Sequence, residues 1–563
     1  MSPSMHSLRA THFAELGAGF GSAECLAVLR AGQASRRRLL LRAISEAAPT
    51  KPALDLLSDV AAAAPEVADA ALCHPLAGVW MSRWLRRQPD DAPYLSGLTA
   101  AAAAQAGIPF TLDILTSDGS ILLPGLGNAH GLGRGQATVR GTGDSLVIAG
   151  PNAVVEVPAP YRDASPGWQA VRRLSIWDGQ VSVDDVDPHR NCFGWPAAPQ
   201  MPTDKADEFE GHLVAALQLV EAHHPSHAEA MRTALRMVVP LAIPADGNGV
   251  SAASRLAFGA VGVGVCAEPE ALAELLIHEF QHMKLGGLLD MVDLHISRGS
   301  AIHCAPWRAD PRPVEALLQG TYAHLAVADY WRMRQRRVGG QTRQPQVEFS
   351  YWLAQIGRAT ATLGACGELT VAGERFIGYM RETIAQWAYE FEPSDIDSGV
   401  EDLTDSSAVI WRLRNWQPEP DEPRRLAALY RAGAACPALA APSLSTGAPS
   451  GPAKPSALAR MLREHLCEPA NPVQGKQSDV SFIRGDHRHS ISAYRDDLAT
   501  DSANDDAWAG LALALRREGE HDAASALIAR PELVRAVFRE VGGDPVALAV
   551  WLSPKATVDR CRS

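Results

Sequence analysis

Two histidines four residues apart, His278 and His282, stand in the run Leu275-Leu276-Ile277-His278-Glu279-Phe280-Gln281-His282. Residues at that spacing share one helix face, so both imidazoles can reach a single divalent metal without strain. Glu279 falls about 100° further round the helix, beside a bound ion but poorly placed to share it. In this pattern such a carboxylate acts on metal-bound water. The apolar flank Leu275 to Ile277 predicts a buried helix, where two imidazoles and a carboxylate are costly unless something satisfies them. Metal chemistry is the reading these residues favour.

A catalytic site needs a third protein ligand. Asp290 and Asp293 would lie roughly 12 and 16 Å beyond His282 on an unbroken helix. Only a break at Gly286-Gly287 would bring either back. The next helix, opened by Asp310-Pro311-Arg312-Pro313, offers Glu315 and His324, which are two and a half turns apart and face opposite ways. Leu317, Gly320, Thr321, His324, Val327 and Ala328 make a face of apolar and small residues that suits close helix approach. Glu315 sits in the first turn, where the helix dipole already favours an exposed acid. His324 is therefore the preferred third ligand, Glu315 the alternative, and a core histidine bonded to a carbonyl the competing account of His324.

The other histidines read as structural. His223, His224 and His227 surround Pro225 in an expected solvated turn, and His487 and His489 are expected on the surface. His303, beside Cys304, reads as a loop residue without a partner, or as a pocket wall.

The elements that must position these groups follow from pattern. Leucine and alanine spacing predicts helices over 1–92. Alternation in Phe110, Leu112 and Ile114, the Asp118-Gly119 hairpin signal before Ile121, and valine runs to Val157 predict a small antiparallel sheet within a β-rich region, 93–200. A helical metal-binding region is expected over 201–435, including a short glycine- and valine-rich run at 255–265 and a helix opening at Pro269. A proline-, serine- and glycine-rich linker covers 436–457. Residues 458–563 read as a helical appendage in which Trp508, Leu511, Leu515, Gly519 and Ala523 resemble half of a tetratricopeptide repeat. The fold class expected is α+β, predominantly helical.

The 563 residues carry a formal charge of −12, which argues against nucleic acid as the main partner. Arg36, Arg37 and Arg38 read as a solvated helix face. Nine cysteines without CxxC pairs fit reduced thiols and no iron–sulfur cluster. With no signal-like or membrane-length apolar run, a cytoplasmic, membrane-free protein is expected.

Several segments together resemble the HExxH proteins of ribosomal-peptide modification clusters, which are similar to α-ketoglutarate-dependent peptide β-hydroxylases. They are His278 to Leu285 with Leu288-Leu289-Asp290, Ala305-Pro306-Trp307-Arg308, Asp310 to Pro313, and Leu318-Gln319-Gly320-Thr321-Tyr322-Ala323-His324. The likeness extends to the N-terminal helices, Trp411-Arg412-Leu413-Arg414 and the last helical segment. Such proteins occur alone or behind a radical SAM domain, whose CxxxCxxC motif is missing here, so the resemblance implies a standalone hydroxylase. It implies Fe(II), α-ketoglutarate and O2 acting on a precursor peptide. It also implies a two-histidine, one-carboxylate site, from which the preference for His324 departs. The distal carboxylate of α-ketoglutarate needs a cation, for which Arg312, Arg412 and Arg414 are candidates. Glu279 would then tune a ligand or bound water.

Two other classes stay open. A zinc metallopeptidase would use Glu279 as general base and Glu315 as third ligand. A noncatalytic peptide-binding protein would keep only a structural metal.

Overall fold

The computed structural model describes residues 6–47, 51–86, 93–116, 118–243, 249–264, 268–296, 302–338, 342–391, 394–444 and 451–553. The chain is predominantly helical with small sheets and divides into two compact units. The first holds residues through Leu294 together with Thr370–Met380; the second holds His295–Leu369 and everything from Arg381. The motif helix therefore groups with the N-terminal part of the chain, and the helix carrying Glu315 and His324 groups with the C-terminal part.

In the first unit, helices Ala23–Ala47, Lys51–Ala63, Pro75–Leu85 and Pro93–Gln105 precede the sheets. The last of these stands where the sequence suggested β structure from residue 93. The alanines Ala100 to Ala104 are all buried, and Gly97 lets the helix backbone approach the Leu122 carbonyl. Alanine is the best helix former, so the run settles the local conformation once the helix has a surface to pack on.

Strand Phe110–Thr116 alternates buried and exposed residues as its sequence requires. It pairs antiparallel with Gly135–Gly141, followed in order by Ser145–Ala149 and Val154–Pro158. The turn at Asp118-Gly119 does not close a hairpin onto Ile121–Leu123. That strand joins Gly127–Ala129 and Trp168–Ala170 in a separate sheet. Gly119, at φ 85°, donates its N–H to Thr116 Oγ1, and its carbonyl accepts from Leu132 N–H. The turn is real, but its long-range partner redirects the chain.

A third sheet runs Val250–Ala253, Ala260–Gly264, Met237–Pro240, Ser182–Val183, Arg172–Arg173. Its centre is parallel: Met237–Pro240 pairs parallel with strands on both sides. Met237 to Pro240 and Ala260 to Gly264 are buried throughout, the signature of strands covered on both faces. Val265, the end of the glycine–valine run, lies outside the described residues.

The motif helix Pro269–Leu289 follows this sheet, with proline in its first turn and Glu270 at its positive end. It packs on helix Thr203–His223 and on strand Val250–Ala253. A Cβ at Gly287 would sit 2.7 Å from Phe258 Cε2, so glycine there permits close packing without breaking the helix.

In the second unit, helices Val314–Val338 and Gln344–Ala365 pack along each other. One core joins Val347, Leu403 and Leu413 with Leu462, Trp508, Leu527, Phe538 and Leu548. The C-terminal helices thus share one core with the rest of the second unit. Within the expected linker, Ser443–Leu444 pairs with Trp416–Gln417, while 445–450 lie outside the described residues. The seven cysteines among the described residues are free thiols, and no helix there is long and apolar enough to cross a membrane.

Candidate metal centre

One turn of the motif helix brings His278 Nε2 and His282 Nε2 to 3.2 Å, with the rings 4.8 Å apart and 80° between their planes. Two neutral imidazoles meeting lone pair to lone pair would repel, so one proton or one cation must sit between them. A 3.2 Å chord across two metal–nitrogen bonds of about 2.1 Å subtends about 100°. That angle lies between octahedral and tetrahedral values, and both rings offer the same nitrogen. The pair fits a divalent ion.

Glu279 is buried and accepts a 2.8 Å hydrogen bond at Oε1 from Ser251 Oγ on the adjacent strand. The same oxygen lies 4.0 Å from His278 Nε2. Burial raises the carboxyl pKa, while His282 and the Ser251 hydroxyl oppose the rise. A carboxyl held this way can take or give a proton close to an ion on the two histidines.

Neighbouring polar groups on the helix are structural. Gln281 Nε2 donates to Gly19 O at 2.8 Å, and Lys284 Nζ donates to Gly19 O and Phe20 O at 2.9 and 2.8 Å. Gln281 therefore ties the helix to the N-terminal segment. Asp290 is excluded as a ligand, because the helix runs unbroken to Leu289. Its carboxylate instead binds Gln33 Nε2 at 2.8 Å and Arg255 Nε at 2.9 Å.

The preferred third ligand, His324, lies in the second unit on the buried face with Leu317, Gly320, Thr321, Val327 and Ala328. Its Nδ1 pairs with Gly320 O at 2.8 Å, and the indoles of Trp307 and Trp352 flank its ring at 4.3 and 4.5 Å. The carbonyl bond is what a core histidine makes. It is also what fixes the tautomer of a metal-ligating histidine and leaves Nε2 as the ligating atom. Glu315, half-buried in the first turn of the same helix, is the alternative.

The three arginines proposed for a cosubstrate carboxylate all hold protein acids. Arg412 engages Glu532 through Nε and Nη2 at 3.1 and 2.7 Å, so one edge of its guanidinium is taken by a buried carboxylate. Arg414 Nε binds Asp505 at 2.9 Å, and Arg312 Nη1 binds Asp310 at 3.0 Å.

Two further donor clusters were not visible in the sequence. His303 has a partner after all: its Nε2 lies 2.9 Å from Glu368 Oε1, and Cys366 completes a group of potential ligands. In the first unit His74 converges with Asp184 and Asp187. Burial, with the charges of Arg37 and Arg173, pushes the His74 pKa down to about 3, so its imidazole is neutral there. His224 and His227, expected in a solvated turn, are buried because Pro225 begins a helix that packs against Ala23–Ala47 and Thr203–His223.

No protein-family model matches the chain, and no curated protein matches it at a significant level.

Proposed function

We propose that this chain is a mononuclear metalloenzyme of the Fe(II)/α-ketoglutarate oxygenase class, hydroxylating a Cβ position of a ribosomally synthesised precursor peptide. The observation that carries the metal reading is the 3.2 Å approach of His278 Nε2 and His282 Nε2 on one helix face. The choice of oxygenase chemistry rests on the resemblance of the His278, Trp307 and His324 segments to peptide β-hydroxylases. Iron in such a site, with α-ketoglutarate and O2, supplies oxidative decarboxylation coupled to hydroxylation.

The protein's own part is positional. The motif helix fixes both imidazoles, and Leu276, Ile277 and Phe280 exclude water from its inner face. Glu279, held by Ser251, keeps a proton-exchanging group beside His278 without competing for the ion. Arg312 and Arg414 retain N–H groups beyond those bonded to Asp310 and Asp505 and stay candidates for the cosubstrate carboxylate.

A zinc metallopeptidase is the second reading, favoured by one observation. Glu279 is buried, has a raised pKa, and lies 4.0 Å from a ligating nitrogen, as a general base on metal-bound water would. Anaerobic reconstitution with Fe(II), α-ketoglutarate and a precursor peptide encoded nearby, followed by O2, separates the two. Succinate release with a product heavier by one oxygen atom supports hydroxylation. Peptide cleavage with zinc and silence with iron reverses the order. Binding without turnover under either metal leaves a peptide-binding protein with a structural ion.

A further inference from the structure

Within the second unit a cavity of about 460 Å³ opens among the segment around Trp307 and helices Gln344–Ala365, Asp397–Asn415 and Ala457–Cys467. That volume lies within the range of sites that enclose a drug-sized ligand. Its wall has a marked charge bias. Arg308, Arg358, Arg414, Lys454, Arg460 and Arg463 line it, and no aspartate or glutamate does among the described residues. In a chain of net charge −12 this is a local reversal of sign.

Four of the six cations are held by acids outside the wall: Arg308 by Asp310, Arg358 by Asp405, Arg414 by Asp505 and Arg463 by Glu348. Those contacts fix the guanidinium positions. Lys454 and Arg460 are exposed, and neither has an acidic partner within 4.0 Å among the described residues. Aromatic surface is interleaved: Trp307, Tyr351, Trp352 and Trp411 line the same space, with Arg463 stacked over Tyr351 at 4.2 Å.

Three lining residues also keep buried, unpartnered polar atoms. Gln355 Nε2, Ser406 Oγ and Trp411 Nε1 have no hydrogen-bond partner, although the residues are 2, 1 and 7% exposed. These atoms are closed off from the open space itself, so the wall that a ligand meets is made by the cations and the aromatic faces. A pocket with cations and aromatic faces, and no acid, selects a ligand with carboxylates set beside apolar side chains.

We propose that this cavity binds an acidic peptide segment bearing aliphatic or aromatic side chains. That the ligand is a peptide rests on the function proposed above; its acidic, apolar character rests on the cavity. Trp307 and Trp352 also flank His324, so the cavity wall and that histidine's ring orientation are set by the same two indoles.

The test uses the full chain after metal removal with a chelator, so that failure of binding and failure of metal chemistry are read separately. The probes are a short synthetic peptide alternating glutamate with leucine and phenylalanine, and its glutamine isostere. Binding is followed by tryptophan fluorescence and calorimetry. The acidic peptide is expected to bind at least tenfold tighter than the isostere, and to weaken with salt. The exposed pair K454E/R460E is expected to lose at least tenfold without altering the circular dichroism. Equal affinity for both peptides, no binding, or indifference to charge reversal overturns the proposal. So does a free dicarboxylate such as glutarate that competes at equal affinity, since the site would then be one for a small diacid.

Discussion

Ser251 Oγ donates a 2.8 Å hydrogen bond to Glu279 Oε1, joining strand Val250–Ala253 to the helix that carries both candidate ligands. The hydroxyl opposes the rise in pKa that burial imposes on the carboxyl. Ser251→Ala removes that opposition, so the Glu279 pKa moves further up and the acid limb of a pH–rate profile moves to higher pH. Turnover falls by roughly tenfold, the lower range for a group that orients a residue next to a metal. Metal content after dialysis stays at the wild-type value, because Ser251 is not a ligand. In contrast, His278→Ala and His282→Ala lose the metal. The same measurement on His324→Ala and Glu315→Ala decides between the two further candidates. An unmoved acid limb in Ser251→Ala would show that the hydroxyl does not govern Glu279.

Gly320 lies against Trp307 so closely that a Cβ would meet the indole Nε1 at 2.5 Å and Cε2 at 2.6 Å. The ring cannot give way freely, because its other contacts include the imidazole of His324. Gly320→Ala is expected to displace the indole and cost about 1–3 kcal/mol, as overpacking does. The carbonyl that accepts from His324 Nδ1 is retained. Urea denaturation gives the cost, and the tryptophan emission maximum reports the displacement. A variant as stable as wild type, with unchanged emission, would mean the indole has room to move.

What was legible in the sequence depended on how local the cause was. The His278–His282 pair needed only helical periodicity, and that same periodicity correctly placed Asp290 beyond reach. The alternation from Phe110 to Thr116 likewise required nothing beyond a covered face. Features set by distant partners were hidden. Asp118-Gly119 carries a true turn signal, but its destination depends on Gly127–Ala129 and Trp168–Ala170. The His303–Glu368 contact joins residues 65 positions apart, and no composition or spacing announces it. The parallel pairing of Met237–Pro240 was also missed, because a four-residue buried run has the same appearance in either direction. Arg412 reads as a free ligand-binding cation until the helix bearing Glu532 is folded against it and takes one edge of its guanidinium.

Asp402 is 1% exposed and receives Arg516 Nη2 at 2.5 Å and Arg517 Nε at 3.0 Å. Its pKa is nonetheless raised, because burial outweighs both guanidiniums. The cluster is therefore weak as a net stabiliser yet costly to break, since removing the acid takes the carboxylate from Arg517 and leaves Arg516 only Asp405 and Glu401. Asp402→Ala is expected to lose about 3 kcal/mol, the low end of the range because Arg517 keeps some access to water. Replacing Asp402, Arg516 and Arg517 together with apolar residues of similar volume should lose less than the single change. Equilibrium denaturation of the three proteins checks the order, and a triple variant weaker than Asp402→Ala would contradict it.

Stability of the first unit should depend on pH through a few buried titratable groups. His74 is pushed down to about 3 by burial, Arg37 and Arg173, and His189 to about 4 by burial and Arg83. Both fold neutral, whereas the unfolded chain protonates them below about 6.5. The unfolded state thus binds more protons in acid, and each histidine removes about 1.4 kcal/mol per pH unit as pH falls from 6.5 towards 4. Asp187, which accepts from Tyr94 at 2.9 Å, acts oppositely. Burial and the charge of Asp184 raise it to about 8, so its proton is kept on folding and stability declines as pH climbs from 3.8 to 8. Between about 4 and 6.5 the two histidines work against Asp187 and against Asp184, whose carboxyl burial raises as well, so the net loss towards acid is smaller than the histidines alone would give. From about 7 upward Lys284, lowered to about 7 by burial, sheds its proton on folding and offsets the carboxyls. Single variants isolate each group: relative to wild type, His189→Gln should gain stability towards about pH 5 and Asp187→Asn towards about pH 8, both read from denaturation midpoints. A difference between wild type and Asp187→Asn that is the same at about pH 5 and about pH 8 would show that Asp187 folds ionised.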